Sequence, residues 1–208
     1  PEIEANIELD SLRVNGLLAP PQRVTSDWDF AENRARVYIS DRITQDTTVR
    51  GYYQPVGNRY LATAKMNNLK LELIQPFLRG VVSDIDGTGD IDIRIAGKGR
   101  MAQLNGSAVV RDIGVSVDFT QVRYTAPYGE LRVENNHIYA DGVKLYDSEG
   151  HEGKYTMDLS LEHLSNVTYD IDISASDMLV LDTKAKDNDL FYGHIYASGS
   201  ASFRGDKR

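Results

Sequence analysis

The strongest constraint on the fold is the alternation of residue types between Gly89 and Gly97. Three isoleucines alternate there with three charged residues: Ile91, Ile93 and Ile95 with Asp90, Asp92 and Arg94. Successive side chains of a β-strand point to opposite faces, so a period of two predicts a strand with one aliphatic face and one face in water. Most of the chain repeats this pattern, which predicts an all-β protein.

Further alternating segments run from Ile3 at one end of the chain to Phe203 at the other. They predict an elongated sheet of antiparallel or mixed strands with one aliphatic face. The segment from Leu71 to Leu78 is an exception, because its apolar residues recur at helical spacing. At most one or two short helices are therefore expected, near residues 71–80.

Two short stretches interrupt the alternation. The run Asp84-Ile-Asp-Gly-Thr-Gly89 is rich in the residues that turns require and is predicted to form a turn. Between Val110 and Ile113 the apolar positions shift by one residue, which would otherwise move every following side chain to the other face. A bulge or a tight turn is therefore expected at Arg111-Asp112.

Composition excludes several classes of protein. The chain has 208 residues and no cysteine, so disulfide scaffolds, thiol nucleophiles and cysteine-ligated metals are excluded. The net charge of −8 and the dispersed basic residues argue against nucleic acid as a partner, because phosphate binding needs clustered Lys and Arg. No apolar run approaches the roughly 18 residues of a membrane-spanning helix. Since Pro1 follows no initiator methionine or signal peptide, we expect residues 1–208 to be a single β fragment of a longer protein.

The run from Asp84 to Thr88 also spells the nucleophile motif of haloacid-dehalogenase-type phosphatases. In that motif the first carboxylate attacks phosphorus and the second acts as acid and base. That fold needs a parallel sheet with intervening helices, whereas the following residues alternate as an exposed strand. Together with Asp90 and Asp92 the run is also a candidate Ca²⁺ site, but no glutamate follows at the EF-hand position. The turn interpretation is favoured, and we predict no enzyme activity, no metal and no cofactor.

Several pieces of sequence occur in a characteristic order and spacing. They are residues 71–78 (LELIQPFL) with 82–88 (VSDIDGT), 89–97, 104–106 (LNG), 143–150 (VKLYDSEG), and 187–193 (DNDLFYG) with 196–199 (YASG). Through them the chain from about Met66 to its end resembles the C-terminal region of the TamB family, AsmA-like bridge proteins of Gram-negative bacteria. Residues 1–65 resemble the family only in the general character of their sequence. One departure is 97–103, where the family often has a proline before the Leu-x-Gly turn.

The resemblance implies a periplasmic protein whose parent chain is anchored in the inner membrane through a distant N-terminal helix. It implies an outer-membrane barrel partner of the TamA type. It also implies a long curled sheet, shaped like a taco or gutter, whose apolar inner groove shelters hydrophobic cargo. Phospholipid passage to the outer membrane and assistance to outer-membrane β-proteins are both attributed to such proteins. Because a fragment of a continuous sheet leaves strand edges unpaired, we also expect it to self-associate.

The candidate site is the aliphatic face of the predicted strands, which has little bulky aromatic filling and suits acyl chains. Each buried CH₂ group is worth about 0.8 kcal/mol. The predicted members of this hydrophobic groove are Ile91, Ile93, Ile95, Ile113, Val115, Val117, Phe119, Met157, Leu159, Leu161, Ile171, Ile173 and Ile195. The alternative is a β-sandwich module of a cell-surface protein, with its apolar faces closed on each other as a dry core.

Overall fold

The computed structural model describes residues 3–14, 17–78, 82–118, 120–162, 166–184, 186 and 192–207. These residues form strands and one short helix. The strands are β1 (Glu4–Leu9), β2 (Leu12–Val14), β3 (Leu17–Ala19), β4 (Gln22–Asp29), β5 (Arg34–Asp41), β6 (Thr47–Gln54), β7 (Arg59–Lys70), β8 (Val82–Lys98), β9 (Met101–Val117), β10 (Val122–Glu134), β11 (His137–Tyr146), β12 (Glu152–Glu162), β13 (Asn166–Thr183) and β14 (Gly193–Lys207).

A single antiparallel sheet contains twelve of these strands, in the order β1-β4-β5-β6-β7-β8-β9-β10-β11-β12-β13-β14. Strands β2 and β3 form a separate two-stranded ribbon. Since β1 and β14 lie at opposite edges and do not pair with each other, the sheet is not closed into a barrel. The prediction of an all-β protein built on one long sheet is confirmed. The two facing sheets of the sandwich alternative are not the arrangement that the described strands adopt.

The short helix is a 3₁₀ helix, Leu71–Phe77, and it connects β7 to β8. It lies where the apolar spacing predicts a short helix. No helix among the described residues is long and apolar enough to cross a membrane.

Strand register gathers the apolar residues on one face, because residues directly opposite each other in an antiparallel ladder point to the same side. One row can be followed from partner to partner across all twelve strands of the sheet. It contains Ile7, Val24, Ile39, Val49, Ala64, Ile93, Gly106, Val133, Ile138, Leu159, Tyr169 and Gly205. We call the side that carries this row the apolar face.

The opposite side carries a polar row from β7 to β14. Its members are Lys65, Asp92, Ser107, Arg132, Tyr139, Asp158, Asp170 and Arg204. Four ion pairs lie within or beside this row, including Lys65 with Asp92 at 3.4 Å and Arg204 with Asp170 at 2.8 Å. The two faces of the sheet therefore differ in chemistry as the alternation predicts.

Residues with left-handed backbone lie beside register shifts in β7, β8, β9, β11 and β13, and we call these five positions the crease. It consists of Asn68, Asp84, Asp112, Gly142 and Asp177, with φ angles of 56°, 48°, 51°, 58° and 57°. Each of them lies beside a shift in strand register. Asn, Asp and Gly adopt this conformation more readily than other residues, and bulges bend a strand and re-aim its side chains. The shift at Asp112 keeps Val110 and Ile113 on the apolar face, inside one continuous strand.

The prediction of a turn at residues 84–89 is wrong. These residues lie within β8, which starts at Val82, and register shifts flank Asp86 on both sides. The positive φ angles of Asp84 and Gly87 serve two bulges instead of a chain reversal. The connection between β8 and β9 is short, because β8 continues to Lys98 and β9 begins at Met101.

The sheet curls at the end where β8 begins. The Tyr124 hydroxyl of β10 donates to the Leu179 carbonyl of β13 at 3.0 Å, and the Asp182 amide donates to the Thr120 carbonyl at 2.9 Å. These strands are three places apart, which in a flat sheet with strands about 4.8 Å apart would separate them by roughly 14 Å. The apolar face is therefore concave at this end.

Candidate hydrophobic groove

The register places the predicted groove residues along neighbouring strands of the sheet. The apolar face carries Ile91, Ile93 and Ile95 on β8, Ile113, Val115 and Val117 on β9, Met157, Leu159 and Leu161 on β12, and Ile171 and Ile173 on β13. Ile195 lies on the edge strand β14 opposite the buried Leu181, with 49% of its surface exposed. Phe119 lies outside the described residues. That these side chains contact cargo stays a prediction.

The crease divides the apolar face into two parts with different burial. On the side of Val82 the apolar side chains form a dry core, and Val122, Met178 and Leu179 are only 1%, 1% and 2% exposed. We call this part the closed end. On the other side of the crease burial varies along the row: Val133 is only 4% exposed, whereas Ile93 and Leu159 are half-buried. We call this second part the open face.

A buried carboxylate fastens the closed end. The Asp147 side chain, in the connection between β11 and β12, is fully enclosed. It accepts hydrogen bonds from the amides of Leu179 (2.7 Å), Glu149 (2.9 Å) and His151 (2.9 Å), and contacts His151 Nδ1 at 2.9 Å. Burial alone would raise the pKa of Asp147, but the bonds from Leu179, His151 and Glu149 outweigh burial and lower this pKa to about 2. The carboxylate therefore stays ionised and ties β13 to the β11–β12 connection.

Two neighbouring side chains complete this arrangement. The hydrogen bond with Asp147 raises the pKa of His151, whose ring meets the Tyr196 ring edge to face with 6.0 Å between centroids. Tyr124 spans the closed end, and burial with the nearby Asp147 charge raises its pKa to about 12. The closed end is thus held by a polar network at its margin as well as by aliphatic packing.

The 3₁₀ helix lies against the apolar face beside the crease. Leu71 is only 7% exposed and packs with Ile85 and Val110, which in turn contact Ile113 and Val115. The Gln75 side-chain oxygen accepts a hydrogen bond from the Ile85 amide at 3.2 Å. Part of the predicted groove is therefore covered by the chain itself.

Asp86 and Asp90, two carboxylates of the run considered above as a phosphatase motif and as a Ca²⁺ site, form hydrogen bonds within the chain. Asp86 accepts from Arg123 at 2.5 Å, while Asp90 accepts from Arg111 at 2.8 Å and from the Asn68 amide at 2.8 Å. These contacts hold β7, β8, β9 and β10 together on the polar face next to the crease. Within the described ranges, no three His, Cys, Asp or Glu side chains gather into a potential metal site.

A shallow depression of about 220 Å³ lies beside the last three strands. Its charged groups are already paired, His137 with Asp158 at 2.8 Å and Arg204 with Asp170 at 2.8 Å. The polar face thus offers ion pairs between strands, while the apolar face offers uncovered aliphatic surface.

Sequence reasoning missed much of the apolar face. The missed core residues are Ile85, Val110, Val122, Ala126, Val133, Ala140, Val143, Leu145, Met178, Leu179 and Leu181. Their signal was present as alternation on each side of an Asn, Asp or Gly. It was obscured because the crease changes which positions face inward within a single strand. The aliphatic row across β1, β4, β5 and β6 was also omitted.

Comparison of the chain with protein-family models, with curated proteins and with solved structures gives no match. The functional assignment therefore rests on the geometry described above and on the sequence resemblance.

Proposed function

We propose that this chain is a non-enzymatic part of a TamB-like translocation and assembly module. In this proposal its apolar face shelters hydrophobic cargo between the inner and outer membranes, either phospholipid acyl chains or segments of outer-membrane β-proteins. The observation that carries the proposal is the apolar row that crosses all twelve strands, in which Ile93, Ile138 and Leu159 are only half-buried. A soluble protein rarely leaves a contiguous apolar surface of this kind without a binding role.

The chemistry of the face favours acyl chains as cargo. The row combines Ile, Val and Leu with the small residues Ala64 and Gly106 next to Ile93, and Tyr169 is its one member with a polar side-chain atom. Each CH₂ group taken out of water is worth about 0.8 kcal/mol. A tail of ordinary length on this face is therefore far more stable than the same tail in water, while the polar outer face keeps the assembly in solution.

The location and partners of the protein belong to the same proposal. We infer that the parent chain is anchored in the inner membrane of a Gram-negative bacterium and that the sheet lies in the periplasm. The outer-membrane partner is a barrel protein of the TamA type. Among the described strands, β1 and β14 each have one edge without a partner strand, and β14 is 15 residues long. These edges support a role as one section of a longer sheet, because such edges accept further strands.

The proposal is tested by photo-crosslinking of a phospholipid that carries a diazirine in one acyl chain. Ile93→Arg places a charge in the middle of the open face, where the long side chain can still reach water, so folding should survive. The matched control is Ser107→Arg, which adds the same group to the polar face, opposite Asp92. Wild type and Ser107→Arg should crosslink equally, and Ile93→Arg should lose most of its crosslinking.

Equal crosslinking of Ile93→Arg and wild type, with both variants folded by circular dichroism, would refute the role of this face. Ile93 is preferable to Val115 as the site of the charge. Val115 packs against the cluster of Leu71, Ile85 and Val110, so an arginine there would disturb the core and confound binding with folding.

A further inference from the structure

The 3₁₀ helix Leu71–Phe77 occupies a place that the proposed function assigns to cargo. Leu71 lies directly over β8: a Cβ built on Gly89 would be 3.3 Å from Leu71 Cδ2 and 3.5 Å from Val110 Cγ1. The absence of a side chain at Gly89 leaves the space that Leu71 fills. A leucine of the chain itself therefore covers the apolar face beside the crease, as an aliphatic ligand would.

Hydrogen bonds contribute little to the attachment of this helix to the sheet. Among the described residues, one hydrogen bond joins the helix to β8, from the Ile85 amide to the Gln75 side-chain oxygen. The Glu72 Oε2 atom is enclosed and has no hydrogen-bond partner among the residues that the structure describes, which disfavours the docked position. A 3₁₀ helix of seven residues also has little stability of its own. Aliphatic contacts thus hold the helix in place, and cargo could replace them.

We propose that this helix is a displaceable plug. It covers the apolar face beside the crease when no cargo is present, and an acyl chain displaces it by taking over the contacts with Ile85 and Val110. The exchange replaces one aliphatic contact with another, so it changes the apolar area in water little and can proceed in either direction. The empty protein thereby keeps less apolar surface exposed. This inference rests on the proposed function and adds a regulatory element to the same site.

The absence of cysteine from the sequence makes the plug measurable. In Leu71→Cys the thiol replaces a side chain that is 7% exposed, so alkylation should be slow. Ile74→Cys, on the same helix at a position that is 40% exposed, is the matched control and should be alkylated rapidly. Pyrene-labelled phosphatidylglycerol is then added to each variant. The alkylation rate of Leu71→Cys should rise by about tenfold or more, as for a locally opened segment, and that of Ile74→Cys should stay unchanged.

A second variant tests the plug without introducing a cysteine, which could itself weaken the packing of the helix. Gln75→Ala removes the hydrogen bond to the Ile85 amide and leaves the contacts of Leu71 intact. It should bind the pyrene-labelled lipid about fivefold more tightly, the factor that corresponds to one net hydrogen bond.

The possible outcomes separate the plug from the proposed function. If the lipid binds while the alkylation of Leu71→Cys and the affinity of Gln75→Ala are both unchanged, the plug is wrong and the sheltering role stands. If neither wild type nor any variant captures the lipid, the proposed function is wrong and the plug falls with it.

Discussion

Replacing Asp147 tests how the closed end is held. The carboxylate is fully enclosed and accepts hydrogen bonds from Leu179, Glu149 and His151. Its pKa is about 2 in the folded chain, against 3.8 for an unperturbed aspartate. Each pKa unit corresponds to 1.36 kcal/mol, so ionised Asp147 contributes about 2 kcal/mol to the free energy of unfolding. Asp147→Asn should lose about this amount near pH 5.

The pH dependence of this loss has a defined sign. Because folding lowers the pKa of Asp147, its contribution is complete above pH 3.8 and is lost as the pH falls towards 2. Folding raises the pKa of His151 above 6.5, so the contribution of the histidine is complete below pH 6.5 and is lost as the pH rises through the folded-state pKa. The difference between wild type and Asp147→Asn should therefore be largest between about pH 4 and pH 6.5.

The assay is urea unfolding followed by circular dichroism at a series of pH values. Asp141→Asn is the control, because this carboxylate is exposed on β11, the strand that ends just before Asp147. It should change the free energy of unfolding by less than about 0.5 kcal/mol. If Asp147→Asn costs no more than Asp141→Asn at pH 5, the account of the closed end is wrong.

Three further predictions follow from the same structure. Tyr124→Phe removes the hydroxyl that donates to the Leu179 carbonyl and should lower the free energy of unfolding by about 1 kcal/mol in the same urea assay; no loss would mean that β10 and β13 are not joined there. Asp84→Asn should leave the melting temperature unchanged, because asparagine tolerates the left-handed backbone at φ 48°. Neither protein should hydrolyse a generic phosphate ester with Mg²⁺, and hydrolysis that disappears in Asp84→Asn would restore the phosphatase interpretation. Light scattering should detect dimers or larger species that grow with concentration and dissociate in detergent, whereas a strict monomer at high concentration would contradict pairing through the edges of β1 and β14.

The sequence was sufficient for the strands and for the chemistry of the two faces. The alternation around Ile93 predicts both the β8 strand and the side to which its isoleucines point, because the period of a strand is fixed by backbone geometry. The short helix near Leu71 was also predictable from its apolar spacing.

The crease was not predictable as a whole. Asp84 and Gly87 carry the same residue preferences in a bulge as in a chain reversal, since both need positive φ angles. Only pairing with neighbouring strands decides between the two. The shift at Asp112 was visible in the sequence, whereas the shifts beside Asn68, Gly142 and Asp177 are apparent only from the pairing of the strands.

The closed end could not be predicted from the sequence for a related reason. The segment from Asp147 to His151 consists of residues that are typical of a solvated turn. Asp147 is nevertheless enclosed, because Leu179, which is 32 positions further along the chain, donates a hydrogen bond to it. The position of Leu71 over Gly89 depends in the same way on tertiary packing. Local patterns predicted the elements, and the curl of the sheet decided which of them are covered.

The most direct test of the central claim is mass spectrometry of lipid that co-purifies with the 208-residue chain after secretion into the periplasm of a Gram-negative host. The account predicts bound phospholipid on wild type and on Ser107→Arg, and much less on Ile93→Arg, because only the last variant places a charge on the open face. Wild-type protein that is free of lipid, or equal amounts of lipid on all three proteins, would contradict the claim that the apolar face shelters acyl chains.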